Sequence, residues 1–495
     1  MLGEDFTDGV SETMNALPEE LKNILKKRWE TSQFLTDYSL DALFEKLQRV
    51  WEKRGYPRER TEQFRTCIEQ IEVELSDGTK ETCGLVIGEQ NRIERRAERS
   101  QENDLANAVT LIFNTHMNET AGLDAAGYVL ENLPAYIDDL RKNGKRINMI
   151  SSGQKEITDE FFRRVAAGDV PSISASELEI FRNTSKGHNC NRVVKKRISP
   201  PDSTSGSPGW NQQKHEALQV YIERSIATLD FHTTSNPAEP LIMVFGLSSG
   251  DLFDQAELFA HMGATAVFDG DVVGTSPTSY FSQRRSPYPY SKEPICNLLI
   301  ECGQHFDMLS GEAAKNAARG VLQQTLDIEL SQVRDAKIKD HTLQFLGPAE
   351  YWYAPLSCNA DRNPPGYADL PKGCKWDPDA YLHCIYSVDA LPQHVQERIR
   401  HDDIRVAKNL DFNGSIVRKG EAVAYTYCIN NDNKREVAFL YAPYEGRVWM
   451  ARQNNHVPPD DPYDVFAVTR AETLRTVSLQ GRTTPVPAAA SLERA

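Results

Sequence analysis

Between about residues 108 and 345, short apolar runs return at intervals with helical stretches between them, and this alternation constrains the fold more than any other feature of the chain. The runs at 109–113, 241–245, 266–268 and 297–300 are strand-length and apolar almost throughout. Strands of that kind are covered on both faces, and strands that alternate with helices build mostly parallel sheets. The expectation is an α/β fold with a covered, mostly parallel sheet. A polar segment rich in Pro, Ser and Gly at 199–210 interrupts the pattern and reads as an exposed loop. Residues 313–330 read as the helix that closes the region.

The flanks differ in character. Residues 1–65 read as a helical extension. Leu17-Pro18-Glu19-Glu20 resembles a helix start, followed by Leu21, Ile24 and Leu25 on one face. Ser39 is placed to cap a second helix, with Leu40, Leu43, Phe44, Leu47 and Val50 as its apolar stripe. Residues 71–75 alternate, Asp77-Gly78 is a hairpin signal, and the apolar residues 85–87 return. Residues 89–105 are charged and read as a solvated loop or helix face. From 346 the chain is rich in Pro, Tyr and Trp, and 405–470 carries short strand patterns at 414–417, 423–427, 437–441 and 448–450. The expected organisation is a helical extension (1–65), an α/β unit (66–345), a β-rich C-terminal unit (346–475) and a disordered tail (476–495).

The charge balance of 56 Lys+Arg against 71 Asp+Glu leaves a net charge of −15. Such a surface repels nucleic acid and anionic membrane, so neither is an expected partner. Nine cysteines without a CxxC pair read as reduced thiols rather than a disulfide framework. No apolar run approaches the ~20 residues of a membrane helix, and the acidic start MLGEDFTDGVSE has no apolar core of a signal peptide. The expectation is a soluble cytoplasmic protein.

Four segments carry side chains suited to chemistry. His116 and Glu119 follow the apolar run 109–113. The carboxyl end of a strand is where open α/β sheets bind ligands, and imidazole with carboxylate suits Zn²⁺. A surface His and a helix-starting Glu would give the same pattern. His232 follows a strand-like stretch, with Asp230 or a backbone carbonyl available to orient its ring; a core histidine is the alternative. Glu301 ends the apolar run 297–300 and precedes Cys302-Gly303, a place for a general base or for a helix cap. His305 reads as structural. Arg182, Asn191 and Arg192 lie in a loop-like stretch suited to carboxylate recognition, or to simple solvation.

In this order the four segments resemble the succinylglutamate desuccinylase/aspartoacylase family, a branch of the zinc carboxypeptidase clan, over roughly 108–335 and on to about 460. The string Phe231-His232-Thr233-Thr234-Ser235-Asn236 is especially close to that family's pattern. The resemblance implies a zinc-carboxypeptidase-like mixed, mostly parallel sheet with helices on both faces and a small C-terminal β domain. It implies one Zn²⁺ per chain held by His116, Glu119 and His232, with Glu301 as the catalytic base. Arg182, Asn191 and Arg192 would bind substrate, joined by Arg284 or Arg285 and by a C-terminal tyrosine, Tyr441 or Tyr444. The implied activity is a zinc-dependent deacylase acting on a small N-acyl amino acid or related amide. Thr115, Met117-Asn118 and Asn189 depart from the family's usual Gly, Gly-Asn and Asp.

The same residues fit two other readings. One is a metallocarboxypeptidase-like peptidase using the same ligands. The other is a non-catalytic binding protein on the same fold. The N-terminal helices lie outside the resemblance and either pack on the core or mediate homo-oligomerisation.

Overall fold

The computed structural model describes residues 19–74, 78–88, 107–166, 214, 217–218, 221–222, 225–234, 237–245, 255–269, 296–305, 307–328, 330, 340–354, 373–377, 383–410, 412, 414–442, 444–449 and 463–478. The chain opens with helices α1 (Glu19–Thr36), α2 (Leu40–Lys53) and α3 (Arg58–Glu62) and a 3₁₀ turn, Gln63–Cys67. The hairpin β1 (Ile68–Glu74) and β2 (Lys80–Gly88) follows. Next come β3 (Ala108–Phe113), α4 (Gly122–Lys142), β4 (Arg146–Ser151), α5 (Lys155–Ala166), β5 (Ala227–Thr234), β6 (Leu241–Phe245), α6 (Ala256–His261), β7 (Ala266–Asp269), β8 (Cys296–Gln304) and α7 (Met308–Leu326). The remainder holds β9 (Asp340–Ala354), β10 (Lys375–Trp376), β11 (His383–Cys384), α8 (Gln393–His401), β12 (Ser415–Val417), β13 (Ala422–Ile429), β14 (Arg435–Tyr441), β15 (Gly446–Trp449) and β16 (Tyr463–Ser478).

Twelve strands form one sheet in the order β1-β2-β4-β3-β5-β8-β6-β7-β9-β16-β15-β12. Strands β4, β3, β5 and β8 run parallel, β6 reverses beside β8, and β6, β7 and β9 are parallel again. Antiparallel strands finish both edges. The α/β expectation holds, with a mixed sheet that is parallel at its centre. From β3 the chain steps through α4 to β4 on one side, and it later returns to place β5 on the other. The β3–β5 boundary is therefore a point where strand order reverses, and the carboxyl ends of strands at such a point bound a ligand crevice.

Alternation along the strands divides the sheet into two covered faces. Val109, Leu111 and Phe113 of β3, Leu229 and Phe231 of β5, and Leu298 and Ile300 of β8 join one large core with α4 and α7. Ile112 faces the other way, against Ile222, while Ile71, Val73, Val86 and Ile150 pack with Leu218. Lys214 closes that second face: its buried ammonium donates to Glu81 Oε1 at 2.8 Å and to the Gly153 carbonyl at 2.9 Å.

The N-terminal helices belong to the large core. Leu25, Leu35, Leu43, Leu47 and Trp51 are buried in it, and the Trp51 indole donates to the Leu130 carbonyl of α4 at 3.0 Å. Ser39 caps α2 as expected, accepting from the Ala42 amide. Val50 is only half-buried, and the larger Trp51 takes the central place.

Beyond β8 the C-terminal strands divide. Strands β9, β16, β15 and β12 continue the main sheet, while β13 forms a second, four-stranded sheet with β14 on one side and β10 and β11 on the other. Strand β9 runs through residue 345, and β16 continues to Ser478. The charged stretch 89–105, the loop 199–210 and residues 479–495 of the expected tail lie outside the described residues. No helix among the described residues is long and apolar enough to cross a membrane.

Candidate metal centre

Strand β3 ends at Phe113, and Asn114 takes a left-handed backbone at φ 59°. Asparagine tolerates that conformation better than most residues. Its side-chain amide donates to Thr158 Oγ1 at 2.9 Å, which anchors the turn to α5. The chain then makes one tight turn, with the Glu119 amide donating to the His116 carbonyl at 3.0 Å. Residues three apart on such a turn share a side, so His116 and Glu119 face one point. Helix α4 starts immediately afterwards at Gly122. A Cβ there would meet the Phe231 Cβ at 2.6 Å, so glycine is what lets the helix sit directly on β5.

Strand β5 brings the third donor. His116 Nδ1 lies 2.7 Å from Glu119 Oε1, and His232 Nδ1 lies 2.7 Å from Glu119 Oε2. The Thr233 amide also donates to Oε2, at 3.3 Å. One buried carboxylate thus bridges two imidazoles. The three ligand atoms lie within 4.8 Å of one another, and this is the one such group of metal-ligating side chains found among the described residues.

Behind His232 lies a second carboxylate. His232 Nε2 is 3.3 Å from Asp230 Oδ2. Asp230 Oδ1 accepts from Thr115 Oγ1 at 3.0 Å, and Thr115 Oγ1 is 2.8 Å from Ser152 Oγ. Burial opposes a charge on His232, yet Asp230 and Glu119 outweigh it and hold its pKa well above the ordinary histidine value. With Nδ1 aimed at the shared point and a carboxylate 3.3 Å from Nε2, His232 resembles the arrangement usual for a metal-bound histidine. Two nitrogens and a carboxylate, all buried, fit a single zinc-like ion.

Glu301 stands beside this group. In the parallel pair β5–β8 it is the direct partner of His232, and it is 7% exposed. Beyond that pair the register slips, because Thr234 pairs with Gln304. Gly303 absorbs the extra residue at φ +118°, a conformation other residues rarely adopt. The chain then turns so that His305 Nδ1 lies 2.7 Å from Thr233 Oγ1. His305 is therefore wired to the residue after His232, a link that its place in the sequence did not signal. Ser152 was also missed, because β4, short and interrupted by Asn148, gave no strand signal.

His116, Glu119, His232 and Glu301 are thus brought together, with Asp230 as the orienting group. Arg182, Asn191, Arg192, Arg284 and Arg285 lie outside the described residues. Tyr444 is half-buried against the small cluster of Cys384, Leu410, Val417 and Val448, and Tyr441 lines a neighbouring cluster with Ile385 and Phe439.

Fold and site together define an α/β protein with a buried His–Glu–His group consistent with a single metal ion. The chain is structurally similar over most of its length to solved structures of the succinylglutamate desuccinylase/aspartoacylase family, at low sequence identity. One from Rhodobacter sphaeroides matches at 14% identity and a TM-score of 0.42, over 82% of this chain and 96% of that one. An aspartoacylase family protein from Mesorhizobium loti matches at 12% and 0.42, over 82% and 95%. The product-bound ectoine utilization protein EutE (DoeB) from Ruegeria pomeroyi matches at 11% and 0.40, over 82% and 94%. No family model and no curated protein matches the sequence.

Proposed function

We propose that the chain is a zinc-dependent deacylase that hydrolyses a small N-acyl amino acid or a related amide carrying a carboxylate. The observation that carries this reading is the convergence of His116, Glu119 and His232 within 4.8 Å at the carboxyl ends of the central strands. His116, Glu119 and His232 would hold the ion through two imidazole nitrogens and a carboxylate. Bound zinc supplies Lewis acidity and lowers the pKa of a coordinated water toward ~7. Glu301 takes a proton from the attacking water and returns it to the leaving amine, a role its burial beside His232 suits. Asp230 keeps His232 in one tautomer. Arg182, Asn191 and Arg192 bind the substrate carboxylate, with Arg284 or Arg285 and Tyr444 completing the clamp; this part rests on the motif resemblance alone.

Elemental analysis of the purified protein and of His232→Ala tests the metal. About one zinc per chain in the parent, lost in the variant, supports the reading. An absence of metal after zinc is supplied to folded parent leaves a binding protein on this fold. Amine release from N-acyl amino acids, set against C-terminal residue release from peptides, then separates a deacylase from a peptidase.

A further inference from the structure

Helix α1 sends one charged side chain into the core beneath the metal centre. Arg28 is 0% exposed. Its Nε and one terminal nitrogen donate to Asp124 Oδ2 at 2.9 and 2.8 Å, and the other terminal nitrogen donates to Thr120 Oγ1 at 3.2 Å. Thr120 directly follows the ligand Glu119, and Asp124 lies in the first turn of α4. The guanidinium therefore spans the junction between the ligand turn and the helix that carries it. Helix α7 closes over the pair with Gly311, where a Cβ would meet Asp124 Oδ2 at 2.0 Å.

Stability alone is a poor reason for this pair. A buried ion pair is often replaceable by apolar side chains of similar volume at little or no cost. A planar fork whose three nitrogens bond two acceptors, one on Thr120 and one on Asp124, does something an apolar contact does not: it fixes the spacing of the two residues it holds. Burial raises the pKa of the Cys302 thiol, Glu301 and Glu119 add to that, and Arg28 opposes it. The Arg28 charge therefore lies within electrostatic reach of the same thiol as both site carboxylates.

We infer that Arg28 is a positioning residue for the metal centre: through Thr120 and Asp124 it fixes the turn that presents Glu119 between His116 and His232. The inference rests on the reading that these three residues bind metal. It makes an N-terminal helix, outside the ligand-bearing strands, a working part of the site.

The test compares zinc affinity, by competition with a chromophoric chelator, in the parent, Arg28→Lys, Thr120→Val and Arg54→Gln. Thr120→Val keeps the shape and removes one hydroxyl, so it reports even where Arg28→Lys folds poorly. Arg54 joins the N-terminal helices to α4 farther along, at Asn132 (3.1 Å) and Glu131, and its variant controls for general loosening of that contact. The expected result is a loss of zinc affinity of about 10-fold or more in Arg28→Lys and Thr120→Val. Their cobalt-substituted forms should show altered visible spectra, with Arg54→Gln unchanged in both respects. Parent-like affinity in the first two, or an equal loss in Arg54→Gln, overturns the inference alone. A parent that takes up no zinc overturns the metal reading, and this inference with it.

Discussion

His232 of β5 and Glu301 of β8 are direct partners across a parallel strand pair, and both side chains leave the sheet on the face opposite Phe231 and Ile300. Adjacent strands lie about 4.8 Å apart, so an imidazole of the candidate metal group and a carboxylate are held side by side by backbone pairing rather than by loops. That separation of roles leads to a clear expectation. Glu301→Gln should keep the zinc, because Glu301 is outside the ligand set, and lose hydrolysis by about 10²–10⁴-fold, the usual worth of a general acid–base. Zinc content and amine release measured on one preparation decide it. Turnover near that of the parent would remove Glu301 from the mechanism.

Asp230 should matter to the metal without touching it. It faces His232 Nε2 at 3.3 Å and is itself tied to Thr115 at 3.0 Å. Asp230→Asn keeps the size but puts either a neutral carbonyl or a competing N–H against the ring. Zinc affinity should fall about 10–100-fold, read by chelator competition. Unchanged affinity would mean that the ring is held by Glu119 and packing alone.

The second sheet carries a half-buried histidine outside the candidate metal group. His383 stacks on Tyr425 with ring centroids 4.7 Å apart, and burial lowers its pKa to about 4. An unfolded histidine titrates near ~6.5, so between these values the unfolded chain binds the additional proton. The contribution of His383 to stability is thus complete above about pH 6.5 and is lost as pH falls toward 4. His383→Phe keeps the stack and removes the proton site. Its melting temperature should therefore fall less than that of the parent between pH 7.5 and 5. Equal slopes in the two proteins would place the acid sensitivity elsewhere.

How far the sequence could be read follows from where each signal is local. The apolar runs at 109–113, 241–245 and 297–300 specify buried strands by themselves, and Ser39 and the stripe of Leu43, Phe44 and Leu47 specify a capped amphipathic helix. The His116, Glu119 and His232 group was legible only through the resemblance of the four segments, taken in order, to a known family, since each segment alone reads as well as a surface, capping or core side chain. Ser152 and His305 were not, since their relevance depends on which strands become neighbours. The fork of Arg28 onto Thr120 and Asp124 joins residues more than ninety positions apart, and nothing local marks it. The pairing of β9 with β16 is likewise a long-range choice, so the C-terminal strands read as one β-rich unit although they divide between two sheets.

Gly303 offers the sharpest link between backbone and chemistry. Between the pairs His232–Glu301 and Thr234–Gln304, β5 has one residue, Thr233, and β8 has two, Cys302 and Gly303, and Gly303 takes up the difference at φ +118°. A side chain at that φ is strained whatever the space around it, and a Cβ would also stand 3.3 Å from the Ala238 carbonyl. Gly303→Ala should therefore cost about 1–3 kcal/mol of stability, seen as a lowered urea midpoint. The strain can relax only by shifting the strand end, and that end carries Glu301 on one side and His305 on the other. His116 and Glu119 sit on a different element and should not move. The expected signature is a fall in turnover that exceeds any fall in zinc affinity. A variant that loses zinc in step with activity would show instead that the bulge supports His232 rather than Glu301.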